Sequence, residues 1–271
     1  MKIEDIKVVI RGGGDLASGI AFRLKRSGFP VIMTELTEPL VVRRTVSFAE
    51  AVYNGKVEIE GILGIATEKP PEAIKLLNDR IIPVVVDPCG EILKYWQPQV
   101  VVDAVMAKKN ILKTSLSDAE LVIGIGPGFI AGQDVHTVIE TKRGHYLGRV
   151  IYQGTVIDNT GIPGIVDGVG RDRVAYSPCE GFFQTSRKIG EVIKKGDIFG
   201  NVDGTPVRAQ ISGIIRGLVK PGIWVKTNVK VGDIDPRVDL DYCSTISDKA
   251  LAIGGGVLEA ILANFHGSFE I

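Results

Sequence analysis

The apolar run Ile6–Ile10 stops at three consecutive glycines, and a helical pattern begins at once, with Leu16, Ala17, Ile20, Ala21 and Leu24 on one face. Arg23, Lys25 and Arg26 crowd the last turn of this predicted helix, Asp15–Ser27, and Gly28 stands where a C-cap glycine belongs. Gly12-Gly13-Gly14-Asp15-Leu16-Ala17 matches G-x-G-x-x-A in the strand-to-helix setting where that pattern carries chemistry. The first glycine makes the tight turn, and the second lets bare backbone N–H groups approach a pyrophosphate. Ala17 allows the helix to pack close, and the helix N-terminus adds partial positive charge. Glu35 closes the next strand, Val31–Thr34, near the spacing of about 20 residues expected of a ribose-binding acid.

Gly12, Gly13, Gly14, Asp15, Ala17, Ser18 and Glu35 are therefore candidate contacts for a nucleotide or dinucleotide. The same glycines would also serve a plain strand–helix turn. Asp15 suits the helix dipole yet would repel a phosphate held there. Arg43, with Arg44 beside it, either answers that phosphate or lies in solvent.

Further short Val/Ile-rich runs at Ile81–Val86, Val100–Val102 and Leu121–Ile125 read as strands buried on both faces. Alternating with helices, they predict a parallel α/β sheet, Rossmann-like, with helices on both faces. Ser47–Glu50 and Ser117–Glu120 each fit a capping box. Ligands collect at the carboxyl ends of such strands. Those ends carry Asp87, Cys89, Asp103, Gly126 and Gly128, so Asp87 and Asp103 are ligand contacts or turn caps, and Gly126 and Gly128 a backbone wall. Cys89, Asp87 and His136 are the candidates for a catalytic role, but none forms a recognisable acid–base or nucleophile constellation, and no metal-ligand spacing exists. The pattern describes a binder more clearly than a catalyst.

Near Asp134 the texture changes. His136–Thr141 and Leu147–Tyr152 alternate as a hairpin would, and Ser177–Arg237 offers short strands broken by Gly, Pro and Asp. Val192–Asp197 and Val229–Asp233 echo one another, which predicts an all-β module with pseudo-twofold repetition. Arg208–Ile215 followed by Val219–Val225 resembles the second half of a biotinyl/lipoyl carrier, a barrel-sandwich fold. The turn that would carry the modified Lys is Asn201-Val202-Asp203-Gly204, without a Lys, so covalent biotin or lipoate is not expected. Thr245–Phe265 returns to helical periodicity, although Gly254-Gly255-Gly256 costs about 1 kcal/mol per residue relative to Ala. Close packing against another backbone, or against a ligand, would offset that. The expected division is 1–135 for nucleotide or cofactor binding, 136–240 for the β module, and 241–271 for a terminal helix packing back on the first domain.

In 271 residues, 32 Lys+Arg balance 32 Asp+Glu, which argues against a broad nucleic-acid footprint. Three scattered cysteines support neither a disulfide framework nor a zinc ribbon. The N-terminus lacks a signal-peptide layout and no apolar run approaches the roughly 18 residues of a membrane helix, so a cytoplasmic protein without membrane contact is expected.

Several stretches in combination resemble one family: Gly12–Gly19, Asp103–Lys108, Gly124–His136, Glu140–His145, Gly232–Arg237, and Ile246–Ala250 leading to Gly254–Glu259. They are similar to the YqeB-like accessory proteins of selenium-dependent molybdenum hydroxylases, with a distant likeness to the XdhC/CoxI accessory proteins. The resemblance implies a maturation factor for a xanthine dehydrogenase-type enzyme. Its partners would be the apo-hydroxylase and other maturation proteins, and a homo-oligomer is compatible with it. It implies a ligand of dinucleotide type, molybdopterin dinucleotide or NAD, cradled by Gly12–Ala17 with Gly126–Gly128 and His136 on the same crevice; Cys89, by its place at a strand end, either handles sulfur or selenium there or is a small buried hydrophobe. The residues alone leave two alternatives open: a nicotinamide-dependent oxidoreductase, and a non-catalytic scaffold with a regulatory nucleotide site.

Overall fold

A computed structural model describes residues 2–158, 161 and 164–268, so Met1 and residues 269–271 of the expected first and last domains lie outside it. The chain forms two compact units. The first comprises Met1–Pro39, Phe48–Asn159 and Ile246–Ile271, the second Leu40–Ser47 and Thr160–Thr245.

The first unit is built on a nine-stranded sheet. In chain order its strands are β1 (Val8–Arg11), β2 (Val31–Glu35), β3 (Lys56–Ile59), β4 (Ile62–Thr67), β5 (Ile81–Val86), β6 (Val100–Asp103), β7 (Leu121–Ile125), β8 (Thr137–Ile139) and β9 (Val150–Ile151). They lie in the order β3-β4-β5-β2-β1-β6-β7-β8-β9. Neighbours from β4 to β8 are parallel, and only the outermost, β3 and β9, run antiparallel to their partners. After β1 the chain fills one side of the sheet, then returns to β6 on the other, so the strand order reverses at β1. Helices α1 (Asp15–Arg26), α2 (Glu50–Asn54), α3 (Pro70–Leu76) and α4 (Ile92–Trp96) follow in sequence; α5 (Asp241–Ser244) belongs to the second unit and α6 (Asp248–Phe265) to the first.

Alternation along the central strands sorts the core onto two faces. Val8, Ile10, Val31, Met33, Val100 and Val102 pack with α1 and α6. Val9, Ile32 and Val85 pack with Ala73 of α3 and with Ile92 and Trp96 of α4. Helix α1 ends as its sequence predicts. Gly28 adopts φ +91°, its N–H donates to the Lys25 carbonyl, and the Phe29 N–H donates to that of Leu24.

The glycine triplet in α6 does not break the helix, and a backbone is what offsets it. A Cβ on Gly254 would meet the Gly19 carbonyl oxygen of α1 at 2.8 Å, and one on Gly19 would overlap Ala250. A Cβ on Gly256 would overlap the Gly148 carbonyl oxygen, whereas one on Gly255 would meet nothing. Two of the three glycines are thus dictated by backbone approach.

Three expectations are corrected here. The boundary placed at 135/136 falls inside the first unit, because β8 extends the large sheet beside β7 and β9 pairs with β8. Residues 40–47 leave the first unit altogether. Neither capping box forms: α2 starts at Glu50 after Ala49 while the Ser47 hydroxyl donates to the Arg43 carbonyl, and a single turn at Leu116–Asp118 uses the Ser115 N–H on Asp118.

The second unit carries β10 (Val174–Tyr176), β11 (Gly181–Gln184), β12 (Val192–Ile193), β13 (Ile198–Val202), β14 (Thr205–Arg208), β15 (Gly213–Leu218), β16 (Trp224–Val225) and β17 (Lys230–Asp235). They form two four-stranded antiparallel sheets, β10-β17-β15-β12 and β14-β13-β11-β16. The echoing segments supply β12 to one sheet and β17 to that same sheet, with β13 and β16 in the other. Asp203 and Gly204, both at positive φ, turn the β13–β14 hairpin. Asp233 and Asp235 of β17 are buried and ion-paired with Arg173, Arg216 and Arg237. Burial alone would push the Asp235 carboxyl up, but the hydrogen bonds and charge of Arg237, with Arg216, hold it below its usual range.

The glycine triplet yields a paired prediction. Gly255→Ala should raise unfolding stability by about 1 kcal/mol, and Gly256→Ala should lower it by roughly 1–3 kcal/mol through overpacking. Chemical denaturation of both variants checks the signs.

Candidate functional site

The reversal of strand order at β1 leaves the carboxyl ends of β1, β2, β5, β6 and β7 along one edge, the edge where open α/β sheets bind ligands. Gly12 turns the chain out of β1 with φ +93°, donating its N–H to the Thr34 carbonyl at 2.9 Å. A Cβ there would press on the Ala104 carbonyl beyond β6 at 3.2 Å, so the turn requires glycine. Gly13 donates its N–H to the Glu35 carboxylate at 2.8 Å, and Leu36 donates to the second oxygen at 2.7 Å. Burial pushes the Glu35 carboxyl up, with those two N–H groups opposing. The turn and its spaced acid are thus joined directly.

The remaining predicted contacts divide. Gly14 is the N-cap of α1, with φ −66° and ψ 178°. Asp15 opens the helix, and Ala17 is buried beneath it. Ser18 is fully buried: its hydroxyl donates to the Gly13 carbonyl at 3.1 Å and accepts the Phe48 N–H at 2.8 Å. The Gly13 carbonyl also accepts the Ala49 N–H, and a Cβ on Gly13 would meet that nitrogen at 2.9 Å. The segment 48–49 therefore covers one side of the turn. Asp87 is a cap, since its carboxylate accepts the N–H groups of Glu91 at 2.9 Å and Ile92 at 2.8 Å. Gly126 and Gly128 sit at the same edge, but their missing side chains admit Thr141 and the Lys108–Lys109 backbone.

One predicted residue is not brought to this group. His136 precedes β8, which runs parallel to β7, so it lies at the amino end of the strands. Its Nδ1 accepts the Val122 N–H at 2.9 Å, and burial lowers its pKa. Arg43 belongs to the second unit and donates to the carbonyls of Tyr242 at 2.8 Å and Thr245 at 3.2 Å.

Sequence reading missed the polar cluster between β1 and β6. Arg11, the last residue of β1, is 8% exposed. Its Nη1 donates to Thr114 Oγ1 at 2.6 Å and to Asp118 at 2.9 Å, and the Thr114 hydroxyl donates onward to Asp103 at 2.5 Å. Burial raises the Asp103 carboxyl, against the pull of Thr114, Val105 and Arg11. The signal was a charged residue ending a strand otherwise apolar on both faces. Lys249, in the first turn of α6, was missed as well; burial lowers its pKa, while Asp15 and Glu140 oppose that and Arg143 adds to it. Among the described residues no cluster of His, Cys, Asp and Glu could hold a metal ion, and no helix is long and apolar enough to cross a membrane.

Sheet, turn and acid together define a mixed α/β protein with a glycine turn at the carboxyl edge of its large sheet and a second unit built on two antiparallel sheets. The chain is similar to the uncharacterized protein YqeB of Escherichia coli strain K12, with 46% identity over 259 residues, a match covering 96% of this chain and 48% of YqeB. It thus spans about half the length of that relative. No family model matches. Similar solved structures include the ectoine utilization protein EutE (DoeB) of Ruegeria pomeroyi, at 22% identity and TM-score 0.22 over 31% of this chain and 27% of that one. Another is the E. coli tRNA N6-threonylcarbamoyladenosine dehydratase TcdA, at 12% identity and TM-score 0.32 over 97% and 89%. At these scores neither likeness assigns a fold or an activity.

Asp103 predicts a pH dependence. Its folded carboxyl holds the proton more tightly than the unfolded one, whose ordinary value is 3.8, so its contribution to stability falls as pH rises from there toward the folded value. Asp103→Asn should flatten that decline in melting temperature, while an unchanged slope would contradict the burial of a charge at this position.

Proposed function

We propose that this chain is a maturation factor for a selenium-dependent molybdenum hydroxylase of the xanthine dehydrogenase type. In this reading its first unit is a Rossmann-like domain that binds a dinucleotide-type ligand, molybdopterin dinucleotide or NAD, at Gly12–Ala17. The barrel-sandwich-like second unit engages the apo-hydroxylase or another maturation protein. The observation that carries the reading is the Gly13 N–H on the Glu35 carboxylate at the reversal of strand order. That contact leaves each carboxylate oxygen a further lone pair for a ribose hydroxyl, and it holds the acid beside the N-terminus of a twelve-residue helix. The pathway itself rests on the family likeness.

A second reading has its own support. The packing of Ala49 on Gly13, and Asp15 in the first turn of α1, narrow the space and the charge available to a phosphate. They favour a scaffold whose nucleotide site is regulatory or unused. A nicotinamide-dependent oxidoreductase would share the turn and acid but add hydride transfer.

Thermal unfolding with NAD, NADP, CTP and a molybdopterin dinucleotide separates these. The true ligand at a hundredfold excess over Kd should stabilise the chain by about 2.7 kcal/mol. Gly14→Asp should abolish that response while leaving the fold intact, because Asp is a favoured N-cap residue whose carboxylate would occupy the phosphate position. No stabilisation by any of the four supports the scaffold, and hydride transfer supports the oxidoreductase.

A further inference from the structure

Arg11 spends only one of its guanidinium nitrogens. Both hydrogen bonds to Thr114 and Asp118 leave from Nη1, and among the described residues Nη2 and Nε have no partner. Neither is sealed from solvent, although the residue as a whole is more than nine-tenths buried. This unused edge lies against Gly90: a Cβ built on that glycine would stand 3.5 Å from Nη2 and 3.9 Å from Nε. Gly90 has φ +72°, and no side chain there screens the guanidinium. The preceding residue, Cys89, is exposed, and its backbone N–H likewise has no partner among the described residues.

The acids around this edge are already engaged. Asp87 accepts two N–H groups at the start of α4, Asp118 takes Nη1, and Asp103 takes the Thr114 hydroxyl with its carboxyl raised by burial. A guanidinium carries five donors in a planar fork, and a partly desolvated edge of that fork is suited to one oxyanion. We infer that the free edge of Arg11, over Gly90 and one residue along the chain from the exposed Cys89, is a binding point for a small oxyanion, a carboxylate or a phosphate group. It would hold the anionic part of a ligand near an exposed cysteine. This does not rest on the nucleotide reading, since neither Gly13 nor Glu35 takes part.

The test alkylates the full chain with iodoacetate and, separately, with the neutral iodoacetamide, following Cys89 and Cys179 by peptide mass spectrometry. A docked carboxylate should raise the iodoacetate-to-iodoacetamide rate ratio at Cys89 about tenfold above that at Cys179, the scale of one charge-assisted hydrogen bond. Inorganic phosphate should suppress the iodoacetate reaction at Cys89 and bring the ratio down. Gly90→Asp should do the same, because Asp tolerates positive φ and its carboxylate would pair with the free edge without touching Thr114 or Asp118. An equal ratio at the two cysteines, or a Cys89 ratio that phosphate leaves unchanged, overturns the inference whether or not the Gly90 variant folds.

Discussion

At the end of β1 the chain must leave a strand hydrogen-bonded on both sides and enter α1 within a few residues. Gly12 makes this turn under the Ala104 carbonyl, and Gly13 directs its N–H to the Glu35 carboxylate. A side chain at Gly12 would be strained at φ +93° and would press on the chain leaving β6, at the Ala104 carbonyl. The edge that gathers Glu35, Asp103 and the turn of Asp87 to Gly90 exists because the parallel strands on both sides of β1 end there. Helix α1 is then pinned by α6 through Gly19 and Gly254, where backbones meet without side chains between them. Such a contact is directional and unforgiving of volume, so it fixes the position of the α1 N-terminus.

Polar groups at this edge are arranged with little slack. Ser18, Glu35, Asp87, Asp103 and Arg11 each make defined hydrogen bonds, mostly to backbone or through Thr114. Burial raises the Glu35 and Asp103 carboxyls, while the hydrogen bonds they accept oppose it. What stays available is the remaining acceptor capacity of Glu35 and the outer edge of Arg11.

Much of the first unit was legible in residue patterns. The buried strands at 31, 81, 100 and 121 lie between helices, so Val and Ile fill both faces and mark them clearly. The α6 glycines could be read as a backbone contact because their helical cost demands compensation. The β3–β4 hairpin went unread although Lys56–Ile59 alternates polar and apolar, because the run is only four residues long and Glu60-Gly61 is not one of the usual Asn-Gly or Asp-Gly turn pairs. The departure of residues 40–47 into the second unit depends on pairing with residues far along the chain, such as Leu218 with Val42, which local periodicity does not record. In the candidate site, the glycine turn and Glu35 were readable from spacing. His136 was misplaced because its side of the sheet depends on β8 running parallel to β7, and Arg11 was passed over because its partners, Thr114 and Asp118, are distant in sequence.

A crystal structure of the chain grown with a saturating dinucleotide tests the glycine turn as a ligand site most directly. Density for the two linked phosphates along residues 12–17, with a ribose hydroxyl on the Glu35 carboxylate, is the expected result. Well-defined ligand density elsewhere, with the segment 48–49 still closed over the glycines, would contradict it.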